Sequence, residues 1–105
     1  MNKIIKREDE VKLILSSVRA LWGCVTPALR SVSVEFNENK IIWQCILDEN
    51  ATDDDLELLT AAATEVISDF PELDLLEVIK RVPSPTKVDY LKHIIFVRHE
   101  LQISN

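Results

Sequence analysis

The sequence contains one glycine, Gly23, and this scarcity excludes several kinds of site. Loops that cradle phosphates and the sharp turn that presents a hydrolase nucleophile need glycines at fixed spacings. No apolar run approaches the ~20 residues of a membrane-spanning helix. The N-terminus carries Lys3, Lys6 and Arg7 where a signal peptide would need apolar residues. The chain is therefore expected to remain in the cytoplasm, without binding a membrane.

Metal-ligating and proton-transferring residues are also few. Cys24 and Cys45 have no close Cys or His neighbour of the kind that zinc sites require, so they are expected to be reduced and buried. His93 and His99 would lie about 20 Å apart in a regular strand, too far to act on one phosphate. The residues therefore predict no catalytic site, no metal and no cofactor.

The acidic segment after Leu47 resembles a calcium loop only superficially. Counted from Asp48, the sixth and twelfth positions hold Asp53 and Leu59, where an EF-hand needs Gly and Glu. Successive carboxylates in the first turn of a helix point in different directions. Helix capping is the simpler interpretation.

Charge is distributed very unevenly along the chain. The formal net charge is −6, and no Lys or Arg occurs between Lys40 and Lys80. That interval holds eleven acidic residues, Asp48, Glu49, Asp53, Asp54, Asp55, Glu57, Glu65, Asp69, Glu72, Asp74 and Glu77. Such a segment repels nucleic acid and attracts basic protein surfaces. The residues thus favour a protein partner and no direct nucleic-acid binding, while a solvated face without a role remains the alternative.

Two segments have helical periodicity. From Glu8 to Val25 the apolar residues fall on one stripe, which is expected to face the core and to end near Gly23 or Thr26-Pro27. The stripe consists of Val11, Ile14, Leu15, Val18, Leu21, Trp22 and Val25. A second helix is predicted from the N-cap Thr52 to Phe70, with Asp55 completing a capping box and Pro71 ending it. Its apolar side holds Leu56, Leu59, Ala63, Val66, Ile67 and Phe70.

Four segments read as strands. Leu29–Phe36 and Ile41–Leu47 flank the turn Asn37-Glu38-Asn39-Lys40, in which we expect an asparagine to take a positive φ. Leu75–Val82 follows, and the last strand runs from Tyr90 or His93 to His99. The prediction is one α+β domain over residues 1–105, in the order α-β-β-α-β-β. It has a four-stranded, mainly antiparallel sheet with two helices packed on one face.

Three stretches resemble small proteins of bacterial toxin–immunity systems, including contact-dependent growth inhibition. They are ALWGCVTPALRSVSV at 20–34, TEVISDFP at 64–71 and FVRHE at 96–100. The resemblance implies an immunity protein that sequesters a toxin domain, often a nuclease acting on RNA. His99 stands where such proteins more often have Lys or Arg. Most of these motif residues are expected to serve folding.

Recognition is therefore predicted on exposed acidic residues. The candidate partner-binding residues are Asp48, Glu49, Asp54, Glu57, Glu65, Asp69 and Glu72. A rival site is the open face of the sheet, where Trp43, or Ile42 and Ile46, would anchor a partner or a second copy of the chain. The alternative function is a small non-enzymatic adaptor or regulatory module that binds another cellular protein.

Overall fold

A computed structural model describes residues 4–100 of the protein. The element order agrees with the predicted one, with two helices and four strands. The elements are α1 (Arg7–Ala20), β1 (Leu29–Asn37), β2 (Lys40–Leu47), α2 (Asp53–Ser68), β3 (Asp74–Arg81) and β4 (His93–Val97). No helix in this range is long and apolar enough to cross a bilayer.

The sheet is mixed rather than mainly antiparallel, in the order β3-β2-β1-β4. β1 pairs antiparallel with β2 and with β4, as a predominantly antiparallel sheet requires. β3, however, runs parallel to β2. The helix α2 connects these two strands, and a helical crossover brings the chain back to the start of the neighbouring strand. The prediction was wrong at this pair because the strand order was not part of the sequence pattern.

The two edge strands are consecutive in sequence, so the chain between them must cross the whole sheet. This crossing segment, residues 82–92, lies on the face opposite the side chains of Val32 and Val34. Leu91 donates its backbone N–H to Ser33 Oγ at 3.0 Å. Gln44 Nε2 donates to the carbonyl of Asp89, also at 3.0 Å. The middle of this face is consequently covered, and Ser33 and Gln44 are buried.

The opposite face of the sheet carries the hydrophobic core. One row of register partners runs across all four strands, Glu77, Trp43, Val34 and His93. Thr60 of α2 donates to Glu77 at 2.7 Å, and His93 Nε2 lies 3.2 Å from Glu10 of α1. Each helix thus makes a polar contact with one edge-strand residue of this row.

The helix α2 follows its sequence pattern closely. Thr52 Oγ1 accepts the N–H of Asp55 at 3.2 Å, and Asp55 Oδ2 accepts the N–H of Thr52 at 2.8 Å. This is the predicted capping box, and it satisfies backbone donors that the first turn leaves unpaired. Leu59, Val66 and Phe70 are buried as expected. Asp69 is the C-cap, two residues before Pro71.

The helix α1 departs from its prediction in length and in orientation. It ends at Ala20, and a turn follows in which Gly23 has φ +78°. Its buried side chains are Leu13, Ser16, Ser17 and Ala20, which are mostly small. The predicted apolar stripe instead faces largely outward, with Leu21, 6% exposed, as its one buried member. The periodicity identified an apolar face correctly, but this face is directed largely to solvent and not, as expected, to the core.

The β1–β2 hairpin has a two-residue turn, since Asn37 pairs with Lys40. The positive φ, +55°, belongs to Glu38 and to neither neighbouring asparagine. The expected turn position was therefore correct, and the expected residue was wrong. The third and fourth strands begin and end within a few residues of their predicted bounds, except that β4 stops two residues before His99.

Candidate protein-binding surface

The outer side of α2 presents an acidic face. Asp54, Glu57 and Glu65 are exposed. At 3.6 residues per turn they point away from buried Leu59 and Val66. Leu58 and Ala61 lie beside Asp54 and Glu57 on the same surface. We call Asp54, Glu57 and Glu65 the acidic face.

Asp69 is part of the contact between the two helices. Its Oδ2 accepts a hydrogen bond from Ser16 Oγ at 2.6 Å and an ion pair from Arg19 Nη2 at 3.1 Å. Lys12 Nζ donates to the Asp69 carbonyl at 2.9 Å and lies 4.8 Å from the centre of the Phe70 ring. Asp69, predicted as a partner-binding residue, therefore already has partners within the protein.

Asp48 is likewise engaged, in a network of four charged side chains. Arg98 Nη1 donates to Asp48 Oδ2 at 2.6 Å, and Arg98 Nη2 to Glu100 Oε2 at 2.8 Å. Arg30, only 4% exposed, forms a bidentate pair with Glu100 at 2.8 and 2.9 Å. It also donates to the carbonyl of Val82. We call Arg30, Asp48, Arg98 and Glu100 the charge network.

These pairs shift the proton affinities of both carboxylates. The bidentate hydrogen bond from Arg30 is the main cause that lowers the pKa of Glu100 from 4.5 to about 2. The hydrogen bond from Arg98 lowers the pKa of Asp48. Three members belong to the stretches that resemble immunity proteins, Arg30 to the first and Arg98 and Glu100 to the last. The network joins β1, the loop after β2 and the chain after β4, so these motif residues serve folding.

The remaining predicted residues lie apart from the acidic face in sequence. Glu49 is exposed in the loop between β2 and α2, and its backbone carbonyl lies 3.4 Å from Arg81 Nη1. Glu72 is exposed in the short connection before β3. Five of the seven predicted side chains are thus exposed. Asp48 and Asp69 are less exposed and contact Arg98 and Arg19.

An exposed apolar surface on α1 was not predicted from the sequence. Val11 is 46% exposed, Leu15 62%, Val18 42% and Trp22 74%. The four residues follow the spacing i, i+4, i+7 and i+11, which places them on one side of a helix and of the turn that continues it. We call Val11, Leu15, Val18 and Trp22 the α1 stripe. Its signal was present in the sequence as periodicity, but periodicity alone does not say which side packs inward.

The α1 stripe and the acidic face belong to one continuous surface. Val11 and Leu15, together with Lys12, Ser16, Arg19 and Asp69, line a shallow cleft beside α1. A neighbouring cleft of about 240 Å³ lies between the helices and is lined by Ser16, Arg19, Ala20, Glu65, Ser68 and Asp69. The surface therefore runs from apolar side chains on α1, across the polar helix–helix groove, to carboxylates on α2.

The rival site on the sheet is not available as predicted. Trp43 is fully buried and points to the helices, and Ile46 is 2% exposed beneath the crossing segment. Ile42 is half-buried. Exposed apolar side chains do occur toward the edges, at Leu76, Tyr90, Ile94 and Val97. They come from three separate parts of the chain: β3, the crossing segment and β4.

The described residues also bring together no metal-binding group. Within residues 4–100, no three His, Cys, Asp or Glu side chains are placed to hold a metal ion. His93 is paired with Glu10, whereas His99 is exposed beyond the end of β4. Cys24 and Cys45 are free thiols, and burial raises the pKa of Cys45 to about 12.

These features define a small α+β protein whose two helices present an apolar stripe and an acidic face to solvent. The chain belongs to the MafI2 immunity protein family, whose sequence model matches residues 10–100. No curated protein matches the sequence. An immunity protein neutralises a toxin, and immunity families are generally not enzymes. The resemblance to immunity proteins is thereby confirmed, but this family is not specific to contact-dependent growth inhibition.

Proposed function

We propose that this protein neutralises a cognate bacterial toxin domain, a nuclease, by forming a stoichiometric complex with it in the cytoplasm. The acidic face is the part of the complex that meets the toxin's basic cleft, and Glu49 and Glu72 extend it. Asp48 and Asp69, already paired with Arg98 and Arg19, contribute by fixing the elements that carry it. Family membership supports toxin binding, and the acidic face is the observation that supports the mode of binding.

Electrostatics gives the acidic face a kinetic role. A nuclease cleft is basic because it holds phosphates, and an inhibitor of opposite charge is steered toward it. Opposed charges raise association rates by orders of magnitude at low salt, whereas neutral pairs associate at about 10⁵–10⁶ M⁻¹s⁻¹. The interval from residue 41 to residue 79 has no Lys or Arg, and Arg19, which lines the groove beside Glu65, is already paired with Asp69. Rapid capture matters because a toxin acts from the moment it is free.

The experiment compares two sets of charge reversals. The test variant carries Asp54→Lys, Glu57→Lys and Glu65→Lys, and the control carries Glu38→Lys, Asp74→Lys and Asp89→Lys at exposed positions elsewhere. Each set brings the formal net charge from −6 to neutral, so both lose the same overall charge. The ligand is the C-terminal domain of the protein encoded directly upstream, made catalytically inactive.

We expect the test variant to associate at least tenfold more slowly and to lose much of its salt dependence, while the control slows far less. If both variants associate at equal rates, the acidic face is a solvated surface without a specific role in binding. Stoichiometry is read from protection of cells that express the active toxin. Protection at strongly substoichiometric levels would indicate an enzyme, and an upstream gene without a toxin domain would favour the adaptor alternative.

A further inference from the structure

The α1 stripe lies outside the hydrophobic core of the residues that the structure describes. Val11, Leu15 and Val18 fall within about 60° of one another around the helix axis. Their mean direction is opposite the packed side chains, Leu13, Ser16, Ser17 and Ala20. Leu13 thus packs inward beside two serines and an alanine, whereas three apolar side chains, Val11, Leu15 and Val18, face outward. Folding alone would favour the reverse arrangement, because burying large side chains contributes more free energy than burying small ones.

An exposed row of this kind is typical of a helix that docks into a groove. Amphipathic helices recognised by other proteins place apolar anchors at i, i+3 or i+4, and i+7. The α1 stripe has this spacing and ends in an exposed Trp, the residue type most enriched among interface hot spots. Trp22 lies outside the helix, in the turn where Gly23 takes its positive φ. The turn thus leaves the indole at the end of the row.

Charge and area indicate which partner covers the row. Four side chains that are on average little more than half exposed offer roughly 400 Å², about half of what each partner of a stable complex buries. A second copy would also carry the same net charge of −6. A partner that contacts the stripe and the acidic face together reaches the required area and has complementary charge.

We infer that the α1 stripe is the apolar anchor for the toxin domain, seated in an apolar groove whose rim is basic on the side that faces α2. The inference rests on the proposed function and identifies the α1 stripe as the principal source of binding affinity. The acidic face then governs how fast the complex forms, and the stripe governs how slowly it separates.

The test uses matched apolar truncations. The stripe variant carries Leu15→Ala and Trp22→Ala. The control carries Ile94→Ala and Tyr90→Ala, an aliphatic and an aromatic side chain that are also exposed. With the inactive upstream toxin domain as ligand, the stripe variant should raise Kd at least ~100-fold, mostly through a faster dissociation rate, and the control no more than about threefold. Unfolding midpoints of both variants establish that the fold is retained.

A second measurement follows binding in the unsubstituted protein and uses a variant only to assign resonances. The chain has two tryptophans, Trp22 and Trp43, one exposed and one fully buried. Incorporation of 5-fluorotryptophan gives two ¹⁹F resonances, and a Trp22→Phe variant assigns them. Addition of the toxin domain should shift the Trp22 resonance and reduce its solvent isotope effect, leaving Trp43 nearly unchanged.

The outcomes distinguish a failure of the proposed function from a failure of the inference about the α1 stripe. If the parent chain does not bind the toxin domain, the proposed function fails and the inference fails with it. If the parent binds while the stripe variant binds equally tightly and the Trp22 resonance does not move, only the inference is overturned. A parent that is dimeric, with a monomeric stripe variant, would assign the stripe to a second copy and also overturn it.

Discussion

Replacing Glu100 by glutamine tests the charge network, because it removes one charge and keeps the size of the side chain. Glu100 is 25% exposed, and its main partner, Arg30, is 4% exposed. The substitution leaves a buried guanidinium without its bidentate carboxylate. Truncating one partner of a fully buried pair costs about 3–5 kcal/mol. Partial solvation of Glu100 lowers the expected loss of unfolding free energy at neutral pH to about 2–3 kcal/mol.

The same network predicts how stability depends on pH. The pKa of Glu100 falls from 4.5 to about 2 on folding. Its contribution to stability is therefore complete above pH ~5 and is lost as pH falls toward 2. Each tenfold change in proton affinity is worth about 1.4 kcal/mol, and solvent screening reduces the total to about 2 kcal/mol.

The measurement is urea denaturation of the parent, Glu100→Gln and the exposed control Glu49→Gln at several pH values from 7 to 2.5. As the pH falls over this range, the free energy of unfolding of the parent and the control should decrease by about 2 kcal/mol more than that of Glu100→Gln. Asp48, whose pKa is also lowered, remains in all three proteins and so cancels from the comparison. Identical acid profiles for the parent and Glu100→Gln would refute the role given to the pair.

The remaining predictions concern the core, the turns and the thiols. Phe70→Ala should cost about 3–5 kcal/mol, read from the denaturant midpoint, because the ring is 1% exposed. Gly23→Ala should cost about 1–2 kcal/mol through its positive φ alone, since an added Cβ would meet nothing within 4 Å; an unchanged midpoint would contradict this. Thr52→Ala should remove the cap of α2 at about 1 kcal/mol, measured in the same way. Cys24 should react with a thiol reagent in the folded protein while Cys45 stays protected until the protein unfolds; two fast thiols would show that Cys45 is accessible.

The sequence predicted α2 well because one side of this helix holds nearly all its apolar residues. Its cap, its buried residues and the exposure of Asp54, Glu57 and Glu65 follow from local geometry alone. The helix α1 was harder, since its packed face is made of small residues that leave no apolar signal. An apolar stripe was therefore read as core when it is surface.

Contacts between distant segments could not be predicted in the same way. Asp69 and Arg19 are 50 residues apart, as are Asp48 and Arg98. Nothing in the local pattern of either pair indicates that the two side chains meet. The parallel pairing of β3 with β2 could not be predicted for the same reason, because strand order depends on how the whole chain packs. These contacts decide which acidic residues are available to a partner.

The crossing segment also determines the order in which the sheet can form. The β1–β2 hairpin closes through a two-residue turn, at little cost in chain entropy. The other edge of β1 pairs only with β4, for example Ser31 with Val97. Closing the long loop between these two residues is slow. During synthesis on the ribosome, the N-terminal hairpin therefore keeps one open edge until the last strand emerges. The charge network includes Arg98 and Glu100, which follow β4, so it can form only once this strand is in place. It then stabilises the completed sheet.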